Sequence, residues 1–475
     1  MTDVHRDEGS DAGTGNPFRT SQREPRTETG SSADRPTTVR YSLLAGLALA
    51  AASAYLTRTC IAVANTTIQK ELNFSNERMG LILGAFAAGY MWLQIPGGWL
   101  ADRFGPRAVL SGLSVAWSLC TVWTGLAWSF SGLFLSRQLY GAFQAGLVPC
   151  SAKFLSSWVP VSQRGIAGAL IGSSMSAGAI VATGLTAQLL PIFGWRTVIL
   201  MYSGVGICWS AWFFLRFRDR PELDPLANEA ERRLIRAGPA HAGTVSEGSP
   251  PLHEPAHGRS SLAMMILTSG SMWAICSQGF FRAFGYEFFV TQFPAYLEKG
   301  HALKVTQAGL LTMLPLAGVV TGSLMGGWLV DFLLRKTGSK WISRSLTGAM
   351  SLGLCGVFTL AAAWARQPLL AVMIISCGSF LASFAGPATW AATMDVSGKH
   401  TAVMFGIMNM VGNAGSLACP ITVGYLFSYI EANDASWDLV LYLFAAVYAA
   451  GALCWLVLNP ERSAVEPRLA APGLP

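Results

Sequence analysis

Charge is what this chain has least of. Asp, Glu, Lys and Arg make up 12% of its 475 residues, against about 25% in a soluble protein, which excludes an ordinary water-soluble domain. Histidine is nearly absent. Its six residues lie mostly in the tails and the central loop, so the apolar segments offer neither a zinc cage nor a Ser–His catalytic pair. There is no Gly-x-x-x-x-Gly-Lys-Ser/Thr loop, which argues against ATP-driven work. The first 40 residues lack the apolar core of a cleavable signal peptide. Nine cysteines lie within or at the ends of apolar runs without metal-ligand spacing and read as small apolar side chains. No metal and no cofactor is expected. The net charge of +7 is scattered through short loops and forms no contiguous patch, so nucleic acid is not expected as a partner.

What the chain has in plenty is apolar sequence. Runs recur at 42–65, 79–101, 107–129, 131–157, 164–190, 195–217, 263–297, 305–334, 344–364, 368–394, 401–429 and 436–458. A membrane-spanning helix takes about 20 residues, so the twelve runs imply an all-α membrane protein arranged as six plus six. Residues 1–40 read as a disordered polar tail and 41–217 as an N-terminal six-helix bundle. Residues 218–262 read as a solvated linker with one short helix near 226–237, 263–458 as a C-terminal bundle, and 459–475 as a second tail. Lys and Arg gather in the N-terminal tail and the even-numbered connections, at Arg103, Arg107, Arg164, Arg335, Lys336, Lys340, Arg344 and Lys399. The positive-inside bias then places both termini in the cytoplasm of a multi-pass plasma or inner membrane protein. The lipid bilayer is one expected partner, and a monomer is expected.

The runs are duplicated. Gly97-Gly98-Trp99-Leu100-Ala101-Asp102 returns in degenerate form as Gly326-Gly327-Trp328-Leu329-Val330-Asp331, 229 positions on, and Gly80-Leu81 falls on Gly309-Leu310 at the same offset. A repeat of this length is a duplicated multi-helix unit, and two such halves in a membrane protein mark a secondary transporter. The segment Gly98-x-Leu100-Ala101-Asp102-Arg103-x-Gly105-x-Arg107 is similar to the signature between helices two and three of the major facilitator superfamily. The weaker copy falls where that superfamily has its echo. The resemblance implies twelve helices in two pseudo-symmetric six-helix bundles. Asp102, Arg103 and Arg107, with Asp331 in the copy, are expected to gate rather than bind. A carboxylate at that edge can bond helix N-terminal amides of the other half and let go as the halves rock. Gly318, Gly322 and Gly326 form a small-residue ridge for close helix packing.

A charge inside a span costs at least ~2.5 kcal/mol and signals function by default. Such charges are few: Arg58, Arg137, Lys153, Arg282 and Glu287. Asp395, with Lys399 nearby, reads as a structural pair at the inner end of the tenth run. Arg58 and Arg282 lie on the first and seventh runs, partner helices that meet at a central cavity. A guanidinium stays charged and grips a carboxylate with two parallel hydrogen bonds. Two of them argue for an anionic substrate; the alternative is that each pairs with a protein carboxylate as a gate. At the 229-residue offset Glu287 falls on Arg58 itself. The expectation is that Glu287 pairs with Arg58 in the empty site and takes a proton when substrate claims the arginine. Asn409 and Asn413, four apart on the eleventh run, present amides to substrate or to a neighbouring helix. Tyr90 and Gln144 are further candidates for substrate contact, and Arg137, seven residues before Gln144, for helix orientation or coupling.

More narrowly, the chain resembles the anion:cation symporter family of sugar-acid permeases and vesicular glutamate and sialic acid carriers. The stretches that carry this are Leu93-Gln94-Ile95-Pro96-Gly97-Gly98, Trp158-Val159-Pro160, Gly194-Trp195-Arg196, Gly386-Pro387 and Gly406-Ile407-Met408-Asn409-Met410-Val411-Gly412-Asn413. The resemblance implies an organic anion held near Arg58 and Arg282. Two departures matter: Thr57 and Gln144 stand where proton-coupled members often carry Asp and Glu, and neither can hold and release a proton near neutral pH. The leading expectation is transport of a small organic anion by alternating access, coupled to H+ or Na+, with no enzymatic activity. Facilitated uniport or anion exchange without protons is the second reading, and a transporter-like ligand sensor working through 218–262 the third.

Overall fold

In hydrocarbon no water is present to satisfy a backbone N–H or C=O, so each apolar run must bond within itself as a helix. The computed structural model describes residues 35–160, 163–236, 269–397 and 401–460, and these are helical almost throughout. The N-terminal half comprises α1 (Val39–Val63), α2 (Asn76–Phe104), α3 (Pro106–Leu126) and α4, the last in two pieces, Phe130–Gln144 and Leu147–Trp158. One run, Arg164–Arg216, follows. It is helical except at Gly194, whose φ of 73° turns the chain and suits glycine alone at low cost. Its parts are α5 (164–193) and α6 (195–216).

The C-terminal half repeats the plan. It has α7 (Gly270–Thr291), α8 (Val305–Thr337), α9 (Thr347–Ala362, entered through a π-turn at Trp341–Leu346), α10 (Pro368–Ala382 and Ala385–Ser397), α11 (Thr401–Asn433) and α12 (Asp438–Val457). The expected twelve-helix, two-bundle architecture is the one observed. Twelve crossings return both ends of the described chain to one face, here the terminal face; the opposite face is the distal one. Two short helices, Asn65–Leu72 after α1 and Phe293–Gly300 after α7, lie at the distal face.

The sequence repeat is a packing solution used twice. Gly318, Gly322 and Gly326 on α8 lie against Ser376, Phe380 and Phe384 of α10, and at Gly322 the Phe380 carbonyl leaves no room for a Cβ. At the 229-residue offset from Gly318, Gly89 on α2 meets the backbone of Gln138 and Ala142 on α4 in the same manner. Small residues let helix backbones approach closely where lipid supplies no hydrophobic drive.

The expected solvated linker begins instead as part of the N-terminal bundle. Helix Glu229–Arg236 is present, but Glu231 on it is fully buried and ion-paired with Arg40 at 3.3 Å. It also accepts from the Arg40 backbone N–H at 3.1 Å and from the Thr37 hydroxyl. Asp219 accepts from the Arg107 N–H at the start of α3 at 2.8 Å. A carboxylate is buried only where it is paired and hydrogen-bonded, and these bonds dock 219–236 onto the roots of α1 and α3. The polar tail expected over 1–40 is therefore ordered at Thr37–Arg40 by these bonds, while residues 1–34, the rest of the linker and 461–475 fall outside the described residues.

The halves close on the distal face. Asn65 donates to Gln292 at 3.1 Å, Thr66 to Glu298 at 2.5 Å, Asn76 to Glu431 at 2.8 Å, and Lys299 bridges Asn76 and Glu431 at 2.7 and 2.8 Å. Glu298 lies beyond the α7 span, on the short helix Phe293–Gly300. Burial pushes its carboxyl up to about 7, against the lowering effect of the Thr66 hydrogen bond and of Lys70 and Lys299. A raised carboxyl pKa means that the closed seam favours the protonated acid. Its contribution is complete below the ordinary carboxylate range and is lost as pH rises through about 7. Distances between spin labels placed across the distal seam should therefore lengthen between pH 6 and pH 8. Glu298→Gln, which keeps the Thr66 contact without a charge, should hold the distances short throughout; labels that move equally in both proteins would refute this.

Candidate functional site

At the centre of the seam, α1 and α7 carry the charges singled out in the sequence. Arg58 Nη2 donates to both Glu287 oxygens, at 3.1 and 3.3 Å. The pair joins the two halves, and the Arg58 and Glu287 side chains are only 13% and 4% exposed. The Arg58 guanidinium also lies over the ring of Phe86 at 4.1 Å and that of Tyr55 at 5.2 Å. Arg137 on α4 donates to the Arg58 carbonyl oxygen at 3.2 Å and lies 4.8 Å from the Tyr140 ring, so it braces α1 at the level of the ion pair.

A cavity of about 260 Å³ opens beside the pair, lined by Tyr55, Arg58 and Tyr90 from the N-terminal half. The opposite wall carries Arg282, Tyr286 and Glu287 of α7 and Asn409 and Asn413 of α11. Arg282 takes part in none of the ion pairs among the described residues, and its buried Nε lacks a hydrogen-bond partner. Asn409 donates to Gln94 on α2 at 2.5 Å, and Asn413 to the Asn409 carbonyl at 2.8 Å. The Gln94–Asn409 bond crosses between the halves on the terminal side of the cavity. Five of the six residues expected to touch substrate thus surround one chamber.

The sixth does not. Gln144 is 2% exposed and points into the packing between α1 and α4. Its amide donates to the Ala54 carbonyl at 3.0 Å and to the Tyr140 hydroxyl at 2.7 Å, and Tyr140 in turn pairs with Thr57 at 2.7 Å. Those bonds use both amide protons, so Gln144 is a packing residue and not a wall of the cavity. Among the described residues the expected latch residues reach no partner in the opposite half. Asp102 accepts from Lys153 of its own half at 2.5 Å, Arg107 donates to the Phe214 carbonyl at 2.8 Å, and Arg103 lies over the rings of Trp99 and Phe104, each at 5.7 Å. Asp331 is exposed and enters no ion pair among the described residues. Lys153, expected inside the fourth span, reaches the terminal edge, where its side chain is 43% exposed. Asp395 pairs with Lys340 and Arg344 at 3.1 and 3.2 Å; Lys399 lies outside the described residues.

Tyr55 and Tyr286 line the chamber and were missed in the sequence. Their signal was spacing, since Tyr55 stands three residues before Arg58 and Tyr286 four after Arg282, each on its arginine's helical face.

Two six-helix bundles built from one repeat, meeting over a charged mid-membrane cavity, define a secondary transporter. The sequence profile of the Major Facilitator Superfamily matches residues 47–331 and 275–473, and the chain belongs to that superfamily; it is a transport protein and not an enzyme. It is 27% identical to a probable sulfoacetate transporter of Cupriavidus necator over 89% of this chain and 94% of that one. It is also 27% identical to the D-galactonate transporter of Escherichia coli, over 90% and 97%. A probable galactarate/D-glucarate transporter of Bacillus subtilis is 28% identical, over 91% and 95%. Among solved structures, a bacterial homologue of the human lysosomal transporter Spinster, inward-facing and unoccupied, superposes with a TM-score of 0.69 at 19% identity, covering 89% of this chain and 95% of that one. The D-xylose–proton symporter superposes at 0.67 with 14% identity, over 89% and 98%. At such identities these two speak for the fold alone.

Removing one partner from a buried ion pair strands the other, at about 3–5 kcal/mol, whereas replacing both with apolar groups is close to neutral. Glu287→Ala should therefore lower the thermal unfolding midpoint of the purified protein more than the double variant Arg58→Leu/Glu287→Leu. Equal losses would show that the pair carries no buried charge.

Proposed function

We propose that this protein moves a small organic anion across the membrane by alternating access, in symport with a proton. The observation that carries the reading is Arg282: a cation on the cavity wall with, among the described residues, no carboxylate paired to it and a buried Nε without an acceptor. A buried guanidinium seeks a carboxylate or a comparable oxyanion, which it binds with two hydrogen bonds. The printed substrates of the similar transporters (sulfoacetate, galactonate, galactarate and glucarate) are organic acids of this kind.

Arg58 supplies the second grip, but only by exchange. Its Nη2 is held by both Glu287 oxygens. An incoming anion that takes Arg58 displaces the Glu287 carboxylate, which is the group this reading assigns to take up the proton. Substrate binding and proton uptake are thus linked, and the bond between the halves opens in the same step. The alternative, uniport or exchange without protons, is favoured by the neutral Thr57–Tyr140–Gln144 network, in which Thr57 and Gln144 stand where the resemblance places the Asp and Glu that proton-coupled members often carry.

Arg282→Ala should weaken binding of the transported acid roughly 10- to 100-fold, the range of a charged hydrogen-bonded contact. The proton role is tested in a Glu298→Gln background, which removes the distal seam's own pH response. There, anion affinity should rise as pH falls, and a further Glu287→Gln should make it independent of pH. Affinity that still follows pH without Glu287 would assign the proton elsewhere.

A further inference from the structure

On the flank of the C-terminal half, away from the seam, a groove of about 300 Å³ opens toward the surroundings. Its wall includes Leu329 and Leu333 of α8, Ile342 of the π-turn, Met350 and Leu354 of α9, and Leu381 of α10. Met350 and Leu354 are exposed, and no residue of the N-terminal half takes part in the lining. The hydroxyls on the wall are those of Thr347 and Ser351, whose protons go to the carbonyls of Ile342 at 3.0 Å and Thr347 at 2.6 Å. The other side chains there are hydrocarbon or thioether.

The groove has a cause in the chain path. α8 meets the π-turn Trp341–Leu346 that opens α9. Beyond the turn the two helices part, α9 packing on α10 and α12 and α8 on α10 and α5. The wedge left between them runs from Ile342 to Leu354, about 18 Å at 1.5 Å per residue. Half of a bilayer's hydrocarbon core is about 15 Å thick, so the slot has the length of one leaflet. Its mouth lies at the terminal face, where α8 ends in Arg335 and Lys336. Lys336 stands three residues past Leu333 and continues the helical stripe of Leu329 and Leu333. Both cations are exposed and enter no ion pair among the described residues. Lys340 and Arg344 are held by Asp395. With the exposed Asp331, one turn before Arg335, this edge carries four bases against two acids. Trp328 and Trp341 are exposed beside it, as aromatic anchors are at a headgroup boundary.

We propose that this groove holds one acyl chain of an anionic phospholipid from the leaflet at the terminal face, with the lipid phosphate on Arg335 and Lys336. A basic mouth over an apolar slot between spans is the arrangement that selects anionic headgroups. The hydrocarbon wall takes the chain whatever the headgroup, and the two cations choose the headgroup. The site is separate from the central cavity and does not depend on what is transported.

The test uses the purified full-length protein in detergent, stripped of lipid. It is given equimolar phosphatidylglycerol and phosphatidylcholine with matched chains, and bound lipid is read by native mass spectrometry. Phosphatidylglycerol should be retained at least about tenfold over phosphatidylcholine, since a basic residue near an anionic headgroup is worth about fivefold. Arg335→Gln/Lys336→Gln should bring the two lipids level. Met350→Trp keeps both cations and fills the slot from an exposed position, so it should lower phosphatidylglycerol retention at least about fivefold. Leu354→Trp acts on the same wall and serves if the first variant does not fold. Glycerol 3-phosphate, which has the phosphate without a chain, should not displace the lipid at equal concentration. The proposal is overturned if the two lipids are retained equally by the unaltered protein, if the glutamine variant keeps the preference, or if both tryptophan variants bind lipid as the unaltered protein does. Displacement by glycerol 3-phosphate would replace it with a simple phosphate site. Retention of neither lipid would also overturn it and leave the groove to a segment of this chain outside the described residues.

Discussion

An arginine in the middle of a membrane span is tolerated only where something answers its charge. For Arg58 the answer comes from the other half of the molecule, as the Glu287 carboxylate on the partner helix. That single fact ties electrostatics to conformation. The pair cannot be separated without leaving two buried charges, so the halves are held together at their midpoint while the site is empty. An anion competing for the arginine removes only the arginine's share of that penalty, because it replaces one carboxylate with another and leaves Glu287 without its cation. On the function proposed above, the bond that keeps the halves in register is also the bond that a ligand contests.

Around this midpoint the two faces are unequal. On the distal side polar contacts run from Asn65–Gln292 through Thr66–Glu298 to the Asn76–Lys299–Glu431 cluster. On the terminal side the described cross-half hydrogen bond is Gln94–Asn409, and Asp102 and Arg107 are turned to partners in their own half. This is the arrangement of a molecule closed distally and loosened at the terminal face. In that state Asp102 and Arg107 of the Gly97–Arg107 segment bond within their own half among the described residues. The glycine contacts between α2 and α4 and between α8 and α10 lie within the halves, so rocking leaves them intact and each bundle moves as a body.

The neutral network behind Arg58 has a different character. Thr57, Tyr140 and Gln144 satisfy one another and the Ala54 carbonyl, and Arg137 adds a bond to the Arg58 carbonyl. Every one of these contacts fixes α1 against α4. A fully satisfied buried network rigidifies what it joins, and here it fixes the backbone from which Arg58 projects. Cation, brace and counter-ion therefore sit on three helices, and only the counter-ion is in the other half.

Much of this was legible in one dimension. Solvation by lipid is felt residue by residue, so the twelve apolar runs marked the twelve helices. Duplication is a property of the order of residues, so the 229-residue offset placed Glu287 level with Arg58 and aligned Gly89 with Gly318. The rotation of each helix about its axis is another matter, since it is set by the neighbours. That rotation turned Gln144 inward to the Tyr140 hydroxyl, gave Asp395 the partners Lys340 and Arg344, and brought serines from three helices behind Arg282. It also docked Glu231 on Arg40, so that a stretch with the composition of a linker became part of a bundle. Hydropathy and repeat spacing act along the chain and can be read from it; which face of a helix meets which distant neighbour is a property of the packed molecule.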